Sequence, residues 1–238
     1  MQLSKKEDSA YKEMIKRKIF VFKIKDLCLL LKLSRMDAYN LVKSLKRKKV
    51  IRKAGNGFFV FDNVDDFVIA TSIHFPSYIS FSTALSYYGF SDQMPKKIFL
   101  ASTKYTKEVL NFKYITFSKK RFFGYKMIGD IVIAEKEKAI IDSLLFPKYS
   151  GGMKEVMKVM EKALHEMEVN KFVEYLFRIG NKAVLRRAGY LFELYEERKY
   201  KKQINKLIKH IGRGYEKFDP NQKRKNNLNK RWLLDINL

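Results

Sequence analysis

The sequence predicts an α+β chain in three parts: residues 1–61, residues 62–211 and a basic tail at 212–238. Three observations carry that prediction. Apolar residues recur at helical spacing over Ile24–Lys32 and Arg35–Lys48, and a hairpin pattern around Gly55-Asn56-Gly57 follows directly. Between 97 and 134, four segments are rich in β-branched and aromatic residues, the composition of strands. From Gly151 onward the apolar spacing is helical alone. Helix, turn, helix and Gly-rich hairpin, in that order, are the pattern of an N-terminal winged helix-turn-helix. The centre reads as a small α+β unit with a mixed sheet, and the remainder as a C-terminal helical region.

In the first part, Ser9–Lys18 reads as a helix with Ala10, Met14 and Ile15 inward, and Phe20-Val21-Phe22 as an extended run. Ile24, Leu27, Cys28 and Leu31 stripe the second helix. Cys28 is the single cysteine, so it forms no internal disulfide and reads as a small buried hydrophobe. Ser34 caps the third helix, whose inner stripe is Ala38, Leu41, Val42 and Leu45. Arg35, Met36, Tyr39, Asn40, Lys43, Lys46 and Arg47 then face outward. A DNA-reading helix offers its first residues to base edges and its flanks to phosphates. Arg35 suits guanine, Asn40 suits adenine, Tyr39 suits either role, and Lys43, Lys46 and Arg47 suit phosphates. The hairpin adds Arg52 and Lys53, with glycines for the positive-φ positions of its turn. The same outer face is open to two other readings, an ordinary solvated helix and a protein-docking surface.

Asp62–Asp66 marks a boundary, Val64–Ile73 a helix ended by Pro76, Tyr78-Ile79-Ser80 a short strand, and Ser82–Tyr88 a helix stopped by Gly89. Strands are expected at Lys97–Ala101, Tyr114–Phe117, Phe122–Ile128 and Ile131–Ala134, with Gly129-Asp130 turning between the last two. Glu135–Phe146 is helical up to Pro147. Helices follow at Met153–Met167, Val169–Ile179, Lys182–Tyr195 and Gln203–Ile211, with Gly180-Asn181 breaking the second from the third. After Gly212 the chain is polar and Lys-rich until Trp232-Leu233-Leu234, an apolar cluster expected to dock back on the core.

Composition narrows the class. The chain is 46% apolar and 14% aromatic, enough for a packed core and unlike a disordered basic tail. No run of eighteen apolar residues suggests a membrane span, and the polar start lacks a signal core, so a cytoplasmic location is expected. The net charge is +25, and it is uneven. Residues 1–60 hold seventeen basic and five acidic groups, residues 196–231 thirteen and four, and residues 62–195 twenty and fifteen. Two basic ends flanking a nearly balanced centre favour polyanionic partners at each end.

Catalytic chemistry is sparse. His74, His165 and His210 are isolated, no phosphate-binding glycine loop occurs, and Gly151-Gly152 lacks the acidic pair of a nucleotidyltransferase. Asp130 followed by Glu135-Lys136-Glu137-Lys138 has nuclease residues in the wrong spacing. The expectation is no catalytic residue, no metal site, no cofactor and no enzymatic activity.

Several segments together resemble one family. Pro76–Phe90, with its Tyr78-Ile79-Ser80-Phe81-Ser82-Thr83-Ala84-Leu85 core, is similar to the segment after the winged helix in AbiEi-type antitoxins of type IV toxin–antitoxin systems. So are Ile98–Thr103, Ile133–Asp142 and Leu185–Glu193, in that order, over roughly residues 20–196. The resemblance implies an antitoxin that represses its own promoter by binding inverted repeats, with double-stranded DNA as one partner and a nucleotidyltransferase-type toxin as another. DNA contact would then fall on Arg35, Tyr39, Asn40, Lys43, Arg52 and Lys53, and toxin contact on Arg178, Lys182, Arg186, Arg187 and Tyr190. Helical geometry puts Arg186 and Tyr190 on an outer face, opposite Val184, Ala188, Leu191 and Tyr195. That basic face is equally readable as solvated surface or as a second DNA contact. A stand-alone DNA-binding protein and a nucleic-acid enzyme with a diverged metal site are the competing functions, and the oligomeric state stays open.

Overall fold

The computed structural model describes residues 2–238, and among them the chain is α+β, with ten α-helices and a mixed sheet. The first six elements are α1 (Lys5–Lys16), β1 (Val21–Phe22), α2 (Ile24–Leu31), α3 (Arg35–Arg47), β2 (Ile51–Lys53) and β3 (Phe59–Phe61). Helix α1 starts earlier than the apolar spacing predicts because Ser4 and Glu7 form a reciprocal capping box. Ser34 caps α3 as expected, accepting from the Asp37 N–H at 3.1 Å. The three strands pair antiparallel in the order β1-β3-β2. Met14, Phe22, Leu27, Ala38 and Leu45 are fully enclosed in a core belonging to this unit.

The centre comprises α4 (Asp66–Ile73), β4 (Ser77–Ile79), α5 (Phe81–Tyr87), β5 (Ile98–Ser102), β6 (Lys107–Val109), β7 (Phe112–Thr116), β8 (Tyr125–Ile128), β9 (Ile131–Ala134) and α6 (Lys136–Leu145). Its six strands run β6-β7-β5-β4-β9-β8; the β5–β7 and β4–β9 pairs are parallel and the others antiparallel. Strand β6 escapes the sequence pattern because two of its three residues, Lys107 and Glu108, are charged. The strand expected from Phe122 begins only at Tyr125, since Lys119–Arg121 winds into a 3-10 turn and Gly124 takes a positive φ.

Four helices follow: α7 (Met153–Ala163), α8 (Val169–Ile179), α9 (Lys182–Glu196) and α10 (Lys201–Ile208). Gly180 closes α8 in the left-handed conformation, and Asn181 caps α9 by accepting from the Val184 N–H at 3.0 Å. The polar stretch after Gly212 is folded. Its strands β10 (Glu216–Lys217), β11 (Leu228–Asn229) and β12 (Leu234–Asp235) make a small sheet in the order β10-β12-β11, and Phe218, Trp232 and Leu234 are buried in the large core. Trp232 seats its ring against Gly189 on α9 and donates Nε1–H to Glu193 at 2.5 Å.

The N-terminal unit is tied to the rest. Ala54 and Val60 of the β2–β3 hairpin are buried in the large core, and Lys18 pairs with Asp130 at 2.9 Å. Among the described residues, no helix is long and apolar enough to cross a membrane.

Candidate nucleic-acid interface

Helix α3 divides as its spacing requires: Ala38, Leu41, Val42 and Leu45 are buried, while Arg35, Met36, Tyr39, Asn40, Lys43, Lys46 and Arg47 are exposed. Met36 and Tyr39 are 69% and 53% exposed, which leaves an apolar and an aromatic side chain in water between the cations. Lys48, just past the helix, turns inward to Glu7 at 2.6 Å, and Ser44 donates to the same carboxylate at 2.6 Å. That interaction, led by Lys48, holds the Glu7 carboxyl at about 2. The helix is thereby fixed to α1 from behind, and its outer cations stay free of carboxylate partners among the described residues.

The hairpin separates the two cations predicted there. Arg52 turns to the acidic segment after β3, 3.3 Å from Asp66 and 4.0 Å from Asp62, so much of its charge is already matched. Lys53 is exposed and joins Arg35 at a groove of about 700 Å³ between the hairpin, α2 and the start of α3. Lys23 and Lys25 complete its rim, and half-buried Ile24 and Phe59, with exposed Leu29, give it an apolar lining. Sequence reasoning missed Lys23 and Lys25; the signal was their position flanking the first residue of α2. Lys23 is held in place over the Phe58 ring, 4.2 Å from its centroid. Cys28, expected to be buried, is half-buried and lines this groove. Four cations around a concavity concentrate positive potential where an anionic chain would lie.

The second predicted set does not form one surface. Arg178 is exposed and stacks over Phe123 at 3.9 Å, and Lys182 is exposed and runs against Gly212. Tyr190 is half-buried, edge-on to Phe218 at 5.2 Å. Arg186 and Arg187 are 1% and 4% exposed, which overturns the outer-face placement of Arg186 and removes both from any contact surface. The physical reason is the segment after α10, which folds over this side of α9 and supplies carbonyls. Arg186 donates to Ile211 at 2.7 and 2.9 Å, Gly214 at 2.6 Å, Arg213 at 3.0 Å and Leu233 at 3.2 Å. Arg187 donates to Leu144 at 2.9 Å and Lys217 at 3.0 Å. Burial lowers the pKa of both, that of Arg187 to about 10.

The carboxylates considered for catalysis are committed elsewhere. Asp130 holds Lys18, and Glu135 accepts from Tyr175 at 2.5 Å and pairs with Lys171 at 3.1 Å. Under the central sheet, Lys138 and Asp142 form a fully enclosed ion pair, with Ser80 and Tyr78 donating to Asp142 at 2.7 and 3.1 Å. Burial pushes Lys138 down and Asp142 up, each opposed by the other's charge. No group of three metal-ligating side chains occurs among the described residues.

No family model matches this chain, and no curated protein matches it. Among solved structures it is similar to the RV2827C protein from Mycobacterium tuberculosis, with a TM-score of 0.66 at 12% identity, over 98% of this chain and 92% of that one. At that identity the likeness is one of fold, extending through the folded C-terminal segment.

Proposed function

We propose that residues 1–61 are a winged helix-turn-helix that binds duplex DNA, and that the chain is a transcriptional regulator. The observation that carries this reading is the outer face of α3: eight exposed side chains, four of them cations without carboxylate partners and one, Asp37, an anion held by the capping Ser34, ending at a cationic groove shared with the hairpin. Arg35 and Asn40 are suited to base edges, and Lys43, Lys46, Arg47 and Lys53 to phosphates.

The test is a titration of the protein against its own upstream DNA and against random duplex at matched salt. The expected result is tighter binding upstream, with the salt dependence of several phosphate contacts. Arg35→Ala is expected to weaken upstream binding tenfold or more, about 1–3 kcal/mol for a lost bidentate base contact, and to narrow the preference over random DNA. Arg52→Ala, already paired with acidic groups, is expected to change little. Equal affinity for both duplexes sinks the regulator reading.

The antitoxin half, repression of its own promoter beside a nucleotidyltransferase-type toxin, rests on the sequence resemblance alone. Co-expression with the product of a neighbouring toxin-like gene tests it, rescue of growth being the expected outcome. A stand-alone DNA-binding protein is the second reading. It gains weight because Arg186 and Arg187 are buried, leaving Arg178, Lys182 and half-buried Tyr190 of the expected toxin-contact set.

A further inference from the structure

We propose that Lys104 and Tyr105 of the loop after β5, together with Lys107 at the start of β6, form a second phosphate-binding element that extends the hairpin's DNA contact onto the edge of the six-stranded sheet. The inference rests on the duplex-DNA reading of residues 1–61 and adds to it a part of the chain that reading does not use.

Continuity with the hairpin comes first. A Cβ placed on Gly55, at the hairpin tip, would lie 3.6 Å from Leu110 and 3.7 Å from Val109, so the tip rests on the β6–β7 turn. Ala54 and Val60 anchor the hairpin in the same core as the sheet, so the two move as one piece. Lys107 pairs with Tyr114 and Val109 with Phe112, and residues two apart share a face of a strand. Lys107 therefore emerges on the side of the sheet edge that the hairpin tip touches. Two residues of strand are about 7 Å, which places Lys107 within a few phosphates of the tip along one DNA strand.

The chemistry of the loop suits a phosphate backbone. Lys104 and Lys107 have no carboxylate partner among the described residues; the nearby Glu108 lies on the other face and is taken by Lys97 and Lys113. Tyr105 is 68% exposed between them, with Lys107 Nζ 5.9 Å from its ring centroid. It is not a loose side chain: its ring lies edge-on to His74 at 5.5 Å, and the His74 ring packs tilted against Tyr114 at 4.6 Å. The loop backbone is fixed by the Thr106–Thr116 hydroxyl pair at 2.9 Å and by Lys104 N–H donating to Ser102 at 3.2 Å. The buried His74 feels the local charge, its pKa lowered by burial and then by Lys107 and Lys104, and its Nε2 has no partner. Lysines are depleted at protein–protein interfaces, and two lysines without carboxylate partners, three residues apart, suit phosphates of one strand, so DNA is the favoured occupant over an acidic protein.

The experiment uses the full chain and fluorescence anisotropy of labelled upstream duplex across a salt series. Lys104→Gln/Lys107→Gln is expected to lower affinity about tenfold near 0.15 M salt and to flatten the log–log salt slope by about 1.8, two phosphates at about 0.9 each. Its melting midpoint should match wild type. Lys158→Gln/Lys202→Gln, which removes the same charge from exposed positions on α7 and α10, is the control and should retain most of the affinity and slope. An unchanged slope in the loop variant, or an equal loss in the control, overturns the proposal while leaving the reading of α3 intact. Wild-type protein that binds no duplex overturns both. Binding of polyglutamate that depends on Lys104 and Lys107, with duplex binding unchanged, replaces the DNA strand with an acidic protein partner.

Discussion

Helices α3 and α9 are both amphipathic and both carry cations opposite an apolar stripe, yet α3 keeps its cations in water and α9 buries Arg186 and Arg187. The difference lies in what the chain does afterwards. Past α3 it makes a short hairpin that rises beside the helix and leaves its outer face clear. Past α10 it returns across α9, and carbonyls of Ile211, Arg213, Gly214 and Leu233 close on one guanidinium. A guanidinium has five N–H donors in a fixed fork, so it can be buried wherever enough carbonyls converge, whereas a lysine has three donors and would leave at least one of the four unpaired. The same pattern of charge thus stays open to solvent in one place and forms an internal clamp in the other.

The clamp offers the largest effect by which to break that contrast. Arg186→Ala removes five hydrogen bonds made by a buried side chain and frees the C-terminal segment, so it is expected to cost roughly 3 kcal/mol or more of stability. Lys43→Ala on α3 should leave the unfolding midpoint where it was. Urea denaturation of the two variants reads the difference directly. Equal, small losses would mean that the C-terminal segment holds without its arginine. A second, smaller effect probes the same lock from its apolar side. A Cβ at Gly189 would fall within the Trp232 ring, so Gly189→Ala should displace the indole at a cost of about 1–3 kcal/mol. Trp232 is the only tryptophan, so a red-shifted emission in the native variant is the expected signature.

The contrast also explains what was legible in the sequence. The N-terminal elements follow from local signals: Ser34 before Arg35, the Ala38, Leu41, Val42 and Leu45 stripe, and Gly55 and Gly57 at the hairpin tip. The exposed face of α3 follows from the same periodicity, because no distant segment covers it. Arg186 defeats that reasoning because its partners lie 25 to 47 residues further on, in a stretch whose polar, Lys-rich composition resembles a loose tail. Lys23 and Lys25 were overlooked for a related reason: the groove they line is assembled from α2 and a hairpin 30 residues away, and no single window contains it. Trp232 was the exception in the tail, since one large apolar cluster in a polar run has few places to go except a core.

The smallest predicted effect concerns the N-terminal counterpart of Arg186. Glu7 is 6% exposed and ties α1 to α3, accepting from Ser4 N–H, Ser44 Oγ and Lys48 Nζ, each at 2.6 Å. Here one buried anion gathers three donors, as one buried cation gathers carbonyls on α9. Its pKa falls from 4.5 to about 2, so the folded state binds the proton more weakly than the unfolded chain does. The stability it contributes is therefore fully present above about pH 4.5 and is lost as pH falls toward about 2. Glu7→Gln should lower the unfolding midpoint at neutral pH and flatten its decline across that acid window. The comparison isolates one carboxylate because the substitution keeps the side chain's size and removes only its titration. A variant whose acid decline runs parallel to wild type would place the acid-sensitive contact elsewhere. In that case the attachment of α3 to α1 would rest on apolar packing through Ala10, Met14 and Leu41 rather than on Glu7.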